Sequence, residues 1–141
     1  MTFDQRETIG FAAAQLARLV ALRLRDALTP LGIQPAQAAA LIEIAAAEGL
    51  TQKQLVERLE VEQPGVARTL NGLEAEGWIT RQSAGGRAQG LYLTDKARAI
   101  VPEAARLSAE VNHAALAELS KTERAHLIDR IGELVSTLKT A

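Results

Sequence analysis

The side chains of this chain that are able to do chemistry are cations and amides rather than nucleophiles. The stretch GWITRQSAGGRAQGLYLT, residues 77–94, carries Arg81, Arg87 and Gln89 among glycines. Just before it, QPGVARTLNG places Gln63, Arg68, Thr69 and Asn71 within three helical turns. Guanidinium and amide groups at such positions suit phosphate oxygens and base edges. Arg68 lies three and four residues after Gly65 and Pro64, so it shares their face, and Ala67 is a further candidate on the same helix. Gln63 could read adenine with two hydrogen bonds or sit as a cap-region residue. Thr69 and Asn71 could meet phosphate. Thr51 and Gln52 open a helix, where backbone N–H groups attract anions, although Thr51 is first of all a cap. Arg81 and Gln89 are lesser candidates beside Arg87.

Other chemistries find little support. No Ser/His/Asp order, phosphate-binding glycine loop or carboxylate pair stands out, so an enzyme is not expected. His113 and His126 lie more than a helical turn apart with no cysteine in the chain, and neither a metal site nor a cofactor is expected. The absence of cysteine removes disulfides and thiol redox sensing. The opening MTFDQRETIG carries two acids and no apolar run, so no secretory leader is expected, and no segment has the roughly 20 apolar residues of a membrane span. A cytoplasmic protein without a membrane partner is expected.

The elements that must position these groups are mostly helical. The 141 residues are 48 % hydrophobic, rich in alanine, and only 3 % aromatic. Apolar residues from Ile9 to Leu31 recur at three- and four-residue steps and predict one long helix over 8–31, closed by Pro30 and Gly32. A second helix from Pro35 to about Glu48 is apolar on most sides and should be central. Thr51 and Gln54 form a capping box for a short third helix ending near Glu60. Pro64 opens a fourth helix to about Glu76, with Val66, Leu70 and Leu73 inward. Two short helices across a tight turn make a helix-turn-helix. The β-prone runs Trp78–Thr80 and Leu91–Thr94 then form a hairpin, with Gly85, Gly86 and Gly90 allowing a sharp tip and a close backbone approach. Trp78 should be core, clamping the hairpin to the fourth helix. A helix over 95–119 is expected to kink or restart at Pro102. Ser120 and Glu123 cap a last helix to about Lys139, striped by Leu127, Ile128, Ile131, Leu134, Val135 and Leu138.

Helix-turn-helix plus hairpin is a winged-helix arrangement, in which the second helix enters the DNA major groove. An arginine at the wing tip can reach the minor groove. The net charge is only −1, yet residues 63–98 hold five basic and three acidic side chains, while 32–62 hold two basic and five acidic. Charge is therefore concentrated where DNA would lie. The fold class expected is mainly α with a small β-hairpin wing (α+β). It divides into an N-terminal dimerisation helix (1–34), a winged lobe (35–98) and C-terminal dimerisation helices (99–141). The terminal helices exceed what a small winged lobe can bury, which favours a two-fold interface.

The run LTQKQLVERLEVEQPGVARTLNGLEAEGWITRQ, followed by a glycine-arginine tip and LYLTDKAR, resembles the MarR family. The resemblance implies a homodimer joined through its terminal helices. It implies binding to pseudo-palindromic double-stranded DNA, as a ligand-responsive repressor released by a small aromatic or phenolic effector. There are departures. Gly85 stands where the family wing usually carries an Asp two residues before the retained arginine, here Arg87. Gly86 replaces a frequent second arginine, and Gly65 and Ala67 stand where hydroxyl residues are common. A wing that is looser and less charged is expected. The rival expectation is a winged-helix protein–protein adaptor whose DNA binding has degenerated.

Overall fold

A computed structural model describes residues 2–83 and 85–141. Six α-helices and one hairpin follow in order. They are α1 (Ile9–Leu28), α2 (Pro35–Ala46), α3 (Gln52–Leu59), α4 (Gln63–Ala75), β1 (Ile79–Ser83), β2 (Gln89–Leu93), α5 (Asp95–Ala115) and α6 (Lys121–Thr140). Two compact units are formed, residues 1–111 and 112–141.

In the first unit a single apolar core gathers Leu28, Ile33, Leu41, Ile44, Leu55, Leu70, Leu73, Trp78, Ile79, Leu91, Leu93 and Ala104. The expectation that α2 is central holds, since Ala38, Ala40, Leu41 and Ile44 are all buried. Alanines there let neighbouring helices approach closely, and burying each of the large aliphatic side chains stabilises the fold by about 1.5–3 kcal/mol. Local caps fix where the helices begin. Thr51 Oγ1 accepts from Gln54 N–H (3.2 Å) while Gln54 Oε1 accepts from Thr51 N–H (2.8 Å). This is the reciprocal box read from the sequence.

Several boundaries differ from expectation. The first helix stops at Leu28, and Thr29–Leu31 form a 3-10 turn closed by Gly32 at φ 76°. Pro30, which lacks an N–H, makes the α-pattern yield there. The second helix ends at Ala46 rather than Glu48, and α4 begins at Gln63 with Pro64 in its first turn. The first strand starts at Ile79, one residue after Trp78. No restart occurs at Pro102: α5 is one helix from Asp95 to Ala115. Pro102 and Arg98 are both exposed, so the carbonyl that loses its partner can turn to water. The helix ends four residues before the expected Leu119, in a turn whose Leu116 and Leu119 carbonyls both accept from Arg124 Nε at 3.1 Å.

The hairpin pairs antiparallel from Ile79↔Leu93 to Ser83↔Gln89. An isolated antiparallel bridge between Thr51 and Gly90 ties the segment before α3 to the two-stranded hairpin, a contact that local sequence pattern does not announce. In the second unit α6 is capped by Ser120 and Glu123 as expected, and none of its residues is buried.

Candidate nucleic-acid interface

The helix-turn-helix is α3, the turn Glu60–Glu62, and α4. Glu60 takes the left-handed conformation (φ 53°), which reverses the chain in three residues, and its N–H closes α3 on the Val56 carbonyl at 2.9 Å. Val66, Leu70 and Leu73 hold α4 in the core, at three- and four-residue steps. That fixes what α4 turns outward. Gln63, Pro64 and Arg68 are exposed, Gly65 and Ala67 are half-buried beside them, and Thr69 is half-buried. Pro64, Gly65, Arg68 and Thr69 line one side of an open concavity of about 540 Å³, whose other wall is Ala36, Ala39 and Ala40 of α2 with Val61. Thr69 therefore faces α2 more than open solvent. Glu62 makes no side-chain cap bond, so N–H groups of the first turn of α4 stay open.

The wing is anchored at its base and bare at its tip. Trp78 is only 5 % exposed, and its backbone N–H donates to the α4 carbonyl of Leu73 at 2.8 Å, so it clamps the wing as expected. The Thr94 hydroxyl donates to the Gly77 carbonyl (2.7 Å), and Lys96 Nζ donates to the Glu76 carbonyl (2.8 Å). The Leu-Thr-x-Lys sequence is thus a staple over the C-terminal end of α4. Glu48 adds another tie: one carboxylate oxygen accepts from Leu93 N–H (2.9 Å) and from Arg98 (2.7 Å). The Leu93 N–H first, and Arg98 second, hold the Glu48 carboxyl below its ordinary value. At the tip, Gly85 and Gly86 adopt φ 90° and 66°, which a side chain would resist. Gly90 serves differently, because a Cβ there would meet the Gly49 carbonyl oxygen at 2.8 Å. It admits a backbone, as expected, but takes no part in the turn.

The candidate residues fall into two groups. Thr51, Gln52, Arg81, Arg87 and Gln89 come together around a shallow groove of about 330 Å³ between the start of α3 and the wing. Gln63, Pro64, Gly65, Ala67, Arg68 and Thr69 lie along the first two turns of α4. Arg68 and Arg87 are exposed and enter no ion pair among the described residues. Thr51, Gln52, Asn71 and Arg81 are instead engaged inside the fold: Arg81 Nη2 donates to Asn71 Oδ1 (2.9 Å) and Nη1 to Gln52 Oε1 (3.3 Å). Lys53 escapes the sequence reading. It is exposed in the first turn of α3, on the wall of the same groove as Arg87. Its place in the turn opened by the Thr51 cap is the signal that could have found it.

Electrostatically, this side offers three cations without an ion pair among the described residues, Lys53, Arg68 and Arg87, and open helix N–H groups. Cations and open N–H groups on one side favour anions electrostatically. His113 lies 3.4 Å from the Arg124 guanidinium, and no cluster of three His, Cys, Asp or Glu among the described residues could hold a metal. No helix of the described residues is long and apolar enough to cross a membrane.

Comparison with known proteins agrees with this geometry. The model of the MarR family matches residues 31–89. The uncharacterized HTH-type transcriptional regulator YwoH of Bacillus subtilis (strain 168) is 33 % identical over 82 residues, which are 58 % of this chain and 60 % of that protein. The chain thus matches less than two thirds of that relative's length. Among solved structures, S. aureus MepR in complex with DNA superposes with a TM-score of 0.85 at 21 % identity, covering 93 % of this chain and 98 % of MepR. Bordetella bronchiseptica BpsR, whose DNA binding is regulated by 6-hydroxynicotinic acid, superposes with a TM-score of 0.85 at 15 % identity, covering 94 % and 98 %.

Proposed function

We propose that this chain is a MarR-family transcriptional regulator, and that it is a homodimeric repressor of pseudo-palindromic double-stranded DNA, tuned by a small aromatic or phenolic effector. The observation that carries the DNA reading is a pair of exposed arginines without an ion pair among the described residues: Arg68 on the second helix of the helix-turn-helix and Arg87 on the wing tip. In this reading α4 enters the major groove. Arg68 meets guanine or phosphate, Gln63 reaches a neighbouring base, and Pro64, Gly65 and Ala67 let the helix lie close. Arg87 follows the minor groove, where negative potential is greatest. Lys53 and the start of α3 meet phosphate. A cytoplasmic location accompanies this role.

Support for the dimer comes from the terminal helices. Ile9, Leu16 and Leu19 on α1 are 46–71 % exposed. On α6, Leu127, Ile128, Ile131, Leu134, Val135 and Leu138 are 38–77 % exposed. Contiguous apolar stripes of that kind are hidden in water-soluble proteins, and a two-fold contact hides the same patch twice. Two copies would present their α4 helices to successive major grooves, about 34 Å apart. Support for an effector is the ligand named for BpsR alone. Such a ligand acts by binding one spacing of the two lobes more tightly than another.

The test is fluorescence anisotropy on DNA from upstream of the chain's own gene, titrated with salt. Nanomolar, salt-dependent binding is expected, with Arg68→Ala losing about 10- to 100-fold and Arg87→Ala less. Binding without sequence preference, with both variants equal to the parent, would overturn the regulator and favour the adaptor, whose supporting observation is the scarcity of hydrogen-bond donors at Gly65 and Ala67.

A further inference from the structure

Arg81 is the arginine of the winged lobe that turns inward. Burial alternates along β1, with Ile79 buried, Thr80 exposed and Arg81 only 19 % exposed in its side chain. From that position one guanidinium reaches both helices of the helix-turn-helix. Nη2 donates to Asn71 on α4 at 2.9 Å, and Nη1 donates to Gln52 on α3 at 3.3 Å. Nε is buried without a hydrogen bond and lies 3.4 Å from Glu74 Oε1, close enough for an ion pair. The opposite strand is held by backbone instead: Gly49 N–H to the Leu91 carbonyl (2.8 Å) and Leu91 N–H to the Leu50 carbonyl (2.9 Å). Arg81 is paired with that same Leu91 across the hairpin. At the tip, Gly85 and Gly86 take positive φ and no packed neighbour lies within 4 Å of where their Cβ atoms would stand. The contacts that hold the wing to the rest of the lobe lie toward its base.

We propose that Arg81 is a positioning residue: its fork braces β1 against α3 and α4, sets the angle of the wing, and so delivers Arg87 to DNA without touching DNA itself. The proposal rests on the DNA-binding reading above for its consequence, but not for the brace. A planar guanidinium with three separate acceptors cannot be replaced by an ammonium, which carries the same charge without the fork.

Two measurements on the full chain separate the possibilities. Hydrogen exchange of the amides over 80–93, without DNA, should quicken several-fold in Arg81→Met and in Arg81→Lys, and to a lesser extent in Asn71→Ala, which leaves the core intact. Anisotropy should show both Arg81 variants about tenfold weaker. Adding Arg87→Ala to Arg81→Met should then cost nothing further, while adding Arg68→Ala should keep its full effect. Unchanged wing exchange in Asn71→Ala and Arg81→Lys overturns the brace. So does parent-like affinity of Arg81→Lys with additive losses for Arg81→Met and Arg87→Ala, the pattern of a direct phosphate contact. Loss of the Arg68→Ala effect in the Arg81→Met background would mean general collapse, and also overturns it. If the parent binds no DNA, the regulator reading falls while the exchange experiment still decides the brace.

Discussion

Lys96 Nζ stands 4.0 Å above the centre of the Trp78 ring while donating to the Glu76 carbonyl. The cation thus meets two negative partners at once, the face of the indole and the C-terminal end of α4. The indole N–H donates to the Glu76 carboxylate at 3.2 Å, which also accepts from Gln37 of α2 at 3.1 Å. At this lysine the Leu-Thr-x-Lys run is a staple between α4, the wing and α5.

Replacing the cation should therefore loosen the lobe. Lys96→Met keeps the aliphatic stem and removes the charge, and it should lower unfolding stability by about 1 kcal/mol. Urea denaturation gives the value, and a midpoint equal to the parent's would show that water satisfies both partners equally well.

Gly90→Ala should be more damaging. The new methyl would stand 2.8 Å from the Gly49 carbonyl oxygen, a backbone atom that the Thr51↔Gly90 bridge holds in place. Overpacking of this kind costs about 1–3 kcal/mol. By contrast, Gly10→Ala meets nothing within 4 Å and should leave the thermal midpoint unchanged or raise it slightly.

The Glu48 tie predicts a dependence on acidity. Its folded carboxyl titrates below the ordinary value of 4.5, through the Leu93 N–H and Arg98. A depressed carboxyl contributes stability above the unfolded value, and that contribution fades as pH falls through the folded one. Glu48→Gln should be less stable than the parent at pH 7, with the gap closing below about pH 4. A gap that stays constant from pH 7 to pH 3 would rule out the charged form as the cause.

The stripe on α6 predicts association. Ile131 and Leu134 are 41 % and 49 % exposed, on one side of a helix with no buried residue. Ile131→Glu with Leu134→Glu should turn the proposed dimer into monomers in sedimentation at micromolar concentration, because a two-fold contact through this stripe would bring four desolvated charges together. A parent that already sediments as a monomer would sink the dimer.

Much of this is legible in the residues because it depends on neighbours three or four positions away. The capping boxes at Thr51/Gln54 and Ser120/Glu123, the inward Val66-Leu70-Leu73 face and the positive-φ tip are local, and local chemistry is written in local sequence. Arg87 and Arg68 stand out in the sequence as cations free to reach a partner, and both are exposed. Pro102 misleads, because one missing N–H on a solvated face does not break a helix already packed through Ala97, Val101 and Ala104.

Other features depend on residues far apart in the chain, and only the tertiary structure decided them. Arg81 resembles Arg87 in the sequence; it becomes a brace because Asn71 and Gln52, 10 and 29 positions away, come within reach of its guanidinium. Glu48 closes on Leu93 across 45 positions, and Gly90 is small because Gly49 passes beside it. Periodicity states which face a side chain takes, but not which distant group waits there. That second fact is set by core packing, which brings α2, α3, α4 and the hairpin around the same buried leucines.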